Sequence, residues 1–333
     1  MTIQRTIPHM YTKALATGLL LLGAGAGAGA GAACGQAYPV KPIRVLTSQP
    51  GSGFDFASRL IADPLSASFG QPLIVDNRGG AGGIYAAEAV AQAPADGYTL
   101  LSFGNALWLA PFLQKNVPYD PVKDFAPITL AVTAPNILVV HPAVPAQSVK
   151  DLIALARAKP GTLNYGGGNT GSSAHLAAIL FTSMAGVKMV GIPYRGGAQS
   201  IAALIAGEVQ LMFPNATSVS PHIKSGRLKA LAVTSAQPTP LVPGLPTVAA
   251  TGLPGYESAA MHGIFAPAKT PAAIISRLNR EILQALSRAD VKEKFFTAGT
   301  TIVGSTPPQL AAAVKAEMAS LGKVIKDAGI RAE

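Results

Sequence analysis

Ile43-Arg44-Val45-Leu46-Thr47, followed by Ser48-Gln49-Pro50-Gly51-Ser52-Gly53-Phe54-Asp55, reads as a short apolar strand, a Pro-Gly turn and the start of a helix running from about Asp55 to Phe69. The same order of elements recurs downstream. Leu73-Ile74-Val75 passes through Asn77 to Gly83 into a helix near Ile84 to Ala93, and Tyr98 to Phe103 is a third strand closed by Gly104-Asn105. Alternation of this kind argues for an α/β protein whose parallel sheet is covered by helices on both faces. Pro64 removes a backbone donor inside the first helix and is expected to kink it.

Two segments read as crossings between lobes. Asn136 to Val140 is an apolar strand ending at His141-Pro142. After it Ser148 is the expected N-cap of a helix with Asp151 three residues on, burying Val149, Leu152, Ile153 and Ala156. The second crossing lies near Tyr256 to Ala266, after a proline-dense stretch from Pro238 to Pro254 expected to lack regular structure. Towards the end, Thr270-Pro271 and Thr306-Pro307 each place a capping hydroxyl before a helix-compatible proline. The apolar stripes of those helices are Ile274, Ile275, Leu278, Ile282 and Leu286, then Leu310, Val314, Leu321 and Ile325. A chain that leaves one lobe, builds a second and returns makes a two-strand hinge and a cleft, and clefts between lobes favour ligands. The expected division is residues 1–37 as a leader, 38–138 with 258–333 as lobe one, and 139–257 as lobe two.

The leader reading rests on Arg5 and Lys13, the Ala-, Thr-, Leu- and Gly-only run from Ala14 to Ala33, and small residues at Gly35 and Ala37 before Tyr38. The apolar stretch Leu19 to Leu22 is too brief for a membrane span. Cleavage before Cys34 would instead leave a lipid-bearing cysteine, but Gly31 stands where such signals carry Leu or a similar residue. Periplasmic export follows. Removal of residues 1–37 leaves no cysteine, so disulfides, thiolate metal sites and a cysteine nucleophile are excluded. The formal charge is +10, and without Arg5 and Lys13 it is +8. Lys and Arg are scattered singly with no interleaved aromatics, which speaks against nucleic acid as a partner.

The chemistry lies in the turns. Five precede helices: Gly51 to Asp55, Asn77 to Gly83, Gly166 to Ser173, Arg195 to Gln199 and Asn215 to Ser218. A helix N-terminus offers unpaired N–H groups and partial positive charge, so it can hold a carboxylate or phosphate without a cationic side chain. Gly166-x-Gly168-x-x-Gly171 resembles a dinucleotide fingerprint, yet the next acid is Glu208, too far on for the ribose. No Walker ending or nucleophile elbow is present. His141, His175, His222 and His262 stand singly, and Asp55 is read as an N-cap before it is read as a base. No catalytic constellation, metal site or cofactor site emerges, so the expectation is a binding protein and not an enzyme.

Several stretches together resemble one family. They are Tyr38-Pro39-Val40-Lys41-Pro42-Ile43-Arg44, Asn77-Arg78-Gly79-Gly80-Ala81-Gly82-Gly83, Asp96-Gly97-Tyr98-Thr99-Leu100, Pro118-Tyr119-Asp120-Pro121, Asp124-Phe125-Ala126-Pro127 and Leu253-Pro254-Gly255-Tyr256. The chain is similar, from Tyr38 to about Ile330, to the extracytoplasmic solute receptors of tripartite tricarboxylate transporters, also called Bug receptors. The resemblance implies a type II periplasmic-binding-protein fold of two Rossmann-like lobes. It also implies a monomeric receptor that closes on a small carboxylate and hands it to membrane subunits. By motif position it implicates Ser52, Gly53, Phe54, Asp55, Gly82, Gly83 and Ile84 in lobe one. In lobe two it implicates Asn169, Thr170, Ser172, Ser173, His175 and Asn215. Phe54, Ile84 and Pro214 depart from the polar residues common in the family, which points to a ligand with an apolar or aromatic body. The competing classes are a sensor presenting the same ligand to a signalling partner and a secreted enzyme.

Overall fold

The computed structural model describes residues 38–79, 83–168, 172–194, 196–327 and 329. The leader with Cys34, and Gly82, Asn169, Thr170 and Arg195, lie outside these. The chain divides into Met1–Val40 and Lys41–Glu333, and the elements below belong to the second unit.

A first sheet combines β1 (Ile43–Thr47), β2 (Leu73–Asn77), β3 (Thr99–Gly104) and β4 (Phe125–Pro135) with two late strands, β10 (Ala259–Pro267) and β11 (Thr301–Ile302). Its order is β11-β4-β10-β3-β1-β2. The second sheet is made of β5 (Ile137–Val140), β6 (Asn164–Gly168), β7 (Val190–Pro193), β8 (Leu211–Met212) and β9 (Lys229–Val233), in the order β7-β6-β8-β5-β9. The helices of the first half are α1 (Gly53–Phe69), α2 (Ile84–Ala91), α3 (Ala106–Leu113), α4 (Val149–Ala158) and α5 (Ser173–Ala185). They are followed by α6 (Gly197–Ala206), α7 (Ala216–Lys224), α8 (Val248–Thr251), α9 (Ala272–Ser287), α10 (Ala289–Thr297) and α11 (Pro307–Asp327).

The sheets are mixed, not parallel throughout. β1 runs parallel to β2 and β3, and β6 parallel to β7 and β8, as strand–helix–strand connections require. β10 is antiparallel to both its neighbours, and so is β5. Each of these is the first strand the chain lays down on arriving from the other sheet, so it enters against the local direction. The change of sheet falls at Asn136, between Pro135 of β4 and Ile137 of β5. The return falls at Ser258, and Ala259 and Ala260 pair with Pro135 and Ala134, so the two crossings lie side by side.

Helix starts follow their caps. Ser148 caps α4, its Oγ accepting from the Asp151 N–H at 3.1 Å. For α1 the cap is Ser52 and not Asp55, because the helix begins at Gly53; Ser52 Oγ accepts from the Asp55 N–H and the Asp55 carboxylate reaches back to the Gly51 N–H. α1 continues through Pro64 as one helix. Neither late threonine caps with its hydroxyl. Thr270 Oγ1 is buried without a partner ahead of α9, and Thr306 instead donates both its N–H and its hydroxyl to Gln309 Oε1. The proline-dense stretch contains one regular turn, α8, capped by Thr247.

Ile275, Leu278, Ile282 and Leu286 of α9 and Leu310, Val314, Leu321 and Ile325 of α11 are buried. Tyr256, fully buried just before the return crossing, donates its hydroxyl to Ala177 O of α5 at 2.9 Å and ties the crossing to the second sheet's helices. No helix among the described residues is long and apolar enough to cross a membrane.

Candidate functional site

Because β6, β7 and β8 run in one direction, their carboxyl ends lie along one edge of the second sheet, and α5, α6 and α7 begin there. The three helix starts open onto a single concavity of about 410 Å³. Its polar rim is Ser172, Ser173, Asn215, Ser218 and His222, and its apolar floor is Ala198, Ile201, Met212 and Pro214. Ser172 caps α5 by accepting from the His175 N–H at 3.3 Å, while its hydroxyl donates to Gly167 O at 3.0 Å. α6 and α7 are preceded by Gly196 and Asn215, and neither places a side-chain oxygen on its helix's first N–H groups. Gly196 holds φ 121°, a backbone conformation that glycine adopts without strain. Two helix starts therefore face the concavity with donors and partial positive charge, and with no side chain capping them.

Asn136, the crossing residue, is buried beside this rim. Its backbone is locked by Thr234, and Asn136 Oδ1 lies 3.5 Å from Ser173 Oγ. Asn136 also bridges to Asn215, and its Nδ2 has no partner. The first sheet's side reaches the same neighbourhood at Gly299, in the turn between α10 and β11. With φ 71° and no room for a side chain against Thr217 of α7, this glycine allows close contact beside the rim.

The α1 start is built differently. The buried Asp55 carboxylate accepts from Gly51 N, Arg59 Nε and Asn77 Nδ2, each at 2.9 Å. Burial pushes its pKa up, but the hydrogen bonds from Asn77 and Gly51 and the Arg59 charge outweigh burial and hold it below the usual value. Ser52 Oγ shares a 2.7 Å contact with Ser48 Oγ. Phe54 is half-buried, stacked on Phe103 at 5.0 Å and edge-on to His262 at 5.1 Å. His262 is itself buried, with Nε2 2.7 Å from Ser102 Oγ, and burial lowers its pKa to about 4. The ring is therefore neutral. Gly83, at φ 94°, lies so close to Phe103 that a side chain there would overlap the ring.

Of the residues implicated from sequence, Ser172, Ser173 and Asn215 share the concavity. Ser52, Gly53, Phe54 and Asp55, with Gly83, gather at the strand ends of the first sheet. Ile84 is 8 % exposed and packs in the core with Leu46, Leu101 and Phe103. His175 lies in the first turn of α5 outside the concavity, half-buried against Gly167, and burial lowers its pKa. His222, Met212 and Ile201 were not singled out from sequence. His222 lies in the last turn of α7, where a lone histidine carries no signal, and Met212 and Ile201 are apolar residues that carry none either.

A family model described as tripartite tricarboxylate transporter family receptor matches residues 57–330. Protein BugT of Bordetella pertussis is 35% identical over 297 residues, covering 88% of this chain and 91% of BugT. The structure of R. palustris Rpa4515 with adipate aligns at TM-score 0.72 with 36% identity, covering 88% of this chain and 99% of that one. MatC of Rhodopseudomonas palustris, with bound malate, aligns at TM-score 0.68 with 29% identity over 86% of this chain and all of MatC (100%).

Proposed function

This chain belongs to the Bug-type receptors of the tripartite tricarboxylate transporter family and has their two-lobed type II periplasmic-binding-protein fold, and from that premise we propose how it holds its ligand. The ligand carboxylate is received by the starts of α5, α6 and α7, and its apolar body lies over Met212, Pro214 and Ile201. The observation that carries this reading is the convergence of three helix starts on one concavity with an uncharged polar rim and an apolar floor. A backbone-held anion needs no paired cation, and the low polarity of the floor strengthens each hydrogen bond.

Phe54 supplies an aromatic surface at the other sheet's strand ends, so the body of the ligand is expected to be aliphatic or aromatic. Ile84, turned into the core, has no part in it. Relatives of this family have been seen with adipate and with malate. Adipate carries the longer methylene chain, and each buried methylene contributes about 0.8 kcal/mol. A compact polar acid would lose one or two hydrogen bonds here, about 1–3 kcal/mol.

In this reading the lobes are residues 38–138 with 258–333, and 139–257. The leader is removed after Ala37, and the monomeric receptor delivers its ligand to membrane subunits without turning it over. Calorimetric titration with adipate, benzoate, malate and citrate tests the reading. Adipate or benzoate binding at least about tenfold more tightly than citrate is expected. Tight citrate binding with no affinity for the other acids would refute it, and so would chemical conversion of the bound acid.

A further inference from the structure

Helix α11 carries a carboxyl group on its buried stripe. Leu310, Val314, Glu317, Leu321 and Ile325 fall at the spacing of one helix face, and all are buried. Glu317 has no ion pair with Lys or Arg among the described residues; its oxygens accept from Asn105 Nδ2 at 2.6 Å and Trp108 Nε1 at 2.5 Å. Burial is the largest influence and raises its pKa, and the nearby acid Glu257 adds to the rise. The two hydrogen bonds oppose them, and the net value is about 7.

The orientation of Asn105 is fixed by backbone groups on both sides. Its Nδ2 also donates to Ala259 O at 3.2 Å, and its Oδ1 accepts from the Met261 N–H at 2.6 Å. Ala259 and Ala260 are the residues of β10 that pair with the end of β4. Asn105 therefore grips the return crossing where the two crossings run together.

An ionised Glu317 is acceptor-only and suits two donors. A neutral Glu317 has an O–H that needs an acceptor, and both its partners are donors. The side-chain acceptor beside it, Asn105 Oδ1, is already engaged by the Met261 N–H, and the Ala259 carbonyl is already taken by Asn105 Nδ2. Turning that amide over would set N–H against N–H at Met261 and carbonyl against carbonyl at Ala259. Protonation thus reaches the first residues of β10.

The other titratable groups packed around α11 are few. Neither α3 nor β4 contains a titratable residue. β10 brings His262, held by Ser102; α5 brings His175; the segment before β10 brings Glu257. α11 itself adds Lys315, Lys323, Lys326 and Asp327, of which Lys323 and Asp327 pair with each other.

We propose that Glu317 is a proton-responsive latch that, through Asn105, sets the geometry of the two-strand crossing and with it the closure of the receptor over its ligand. Only the closing clause rests on the receptor reading. Trp108 is the one tryptophan of the chain, and its N–H lies on the carboxylate, so its emission reports the latch without any ligand.

In the ligand-free protein, emission followed from about pH 5 to about pH 9 is expected to move in one step centred near 7. Glu317→Gln abolishes the step, and Glu257→Gln moves its midpoint to lower pH by removing the nearby charge. Hydrogen exchange at the Met261 amide, corrected for its intrinsic rate, is slower above the step than below it in wild type and unchanged across it in the Gln variant. Flat emission, a step that survives Glu317→Gln, or a midpoint unmoved by Glu257→Gln overturns the latch. If the Gln variant does not fold, the Glu257→Gln midpoint decides alone. Adipate affinity measured at about pH 6 and about pH 8 then tests the coupling. The wild-type ratio of affinities disappears in Glu317→Gln, and an identical ratio in both proteins overturns the coupling. Absence of both adipate and benzoate binding refutes the ligand reading and leaves the emission result standing.

Discussion

The start of α1 and the starts of α6 and α7 are the same physical object put to opposite uses. At α1 the protein's own side chains occupy the start: Ser52 holds the Asp55 N–H, and the Asp55 carboxylate accepts from Gly51, Arg59 and Asn77. At α6 and α7 the cap residues Gly196 and Asn215 make no side-chain cap, and the helix starts open onto the concavity. A helix N-terminus is thus a possible anion site by its nature, and the cap residue decides whether the protein fills it or leaves it for a ligand. At α1 the acid in the first turn, Asp55, goes with a start that is closed.

The largest effect expected from this contrast is on stability. Asp55→Ala strips three donors of their acceptor at the α1 start and is expected to cost about 2–3 kcal/mol by denaturant unfolding. The affinity of the remaining folded protein for adipate should change little. If stability held and binding alone were lost, Asp55 would be a ligand residue and the contrast would fail.

Asn215→Asp makes the opposite change at the open starts. Asp caps a helix as well as Asn does, so the melting temperature should hold, while a fixed negative charge repels the incoming carboxylate. An affinity loss on the order of 30-fold, about 2 kcal/mol, is expected from titration. Unaltered binding would place the anion elsewhere.

A smaller effect separates the ligand's body from its charge. Phe54→Ala should weaken benzoate by about tenfold and malate by much less, since only the aromatic acid uses the ring face. Equal losses for both would show that Phe54 serves the fold alone.

The two buried acids also oppose each other in pH. Asp55 is held below its usual value of 3.8, so its stabilisation is present above that value and is lost as pH falls through the lower folded value. Glu317 is raised from 4.5 to about 7, so its contribution is full below 4.5 and is lost as pH rises through about 7. Melting temperatures across that upper window should fall with rising pH in wild type and stay level in Glu317→Gln.

Much of this was readable from residue order. Strand, glycine-rich turn and helix start alternate visibly around Gly51, Gly166 and Gly196, and Ser148 and Asp151 marked the start of α4. Sheet direction was not readable, because local alternation specifies only strands joined by helices on the same sheet. β5 and β10 arrive from the other sheet, and their sense is set by that long-range path. The three departures at Phe54, Ile84 and Pro214 looked alike in sequence, but Ile84 faces the core while Pro214 floors the concavity. Which way a side chain turns from a helix's first residue depends on neighbours such as Leu101 and Phe103, distant in the chain. Glu317 is the reverse case. Its place on the stripe between Val314 and Leu321 was open to a periodicity count, but its partners Asn105 and Trp108 were not.

The most direct measurement is a structure of the protein with adipate bound. The account predicts carboxylate oxygens within about 3 Å of backbone N–H groups in the first turns of α6 and α7, with Ser173 alongside. A carboxylate held by a lysine or arginine side chain, with the starts of α5 to α7 making no contact to it, would contradict the account.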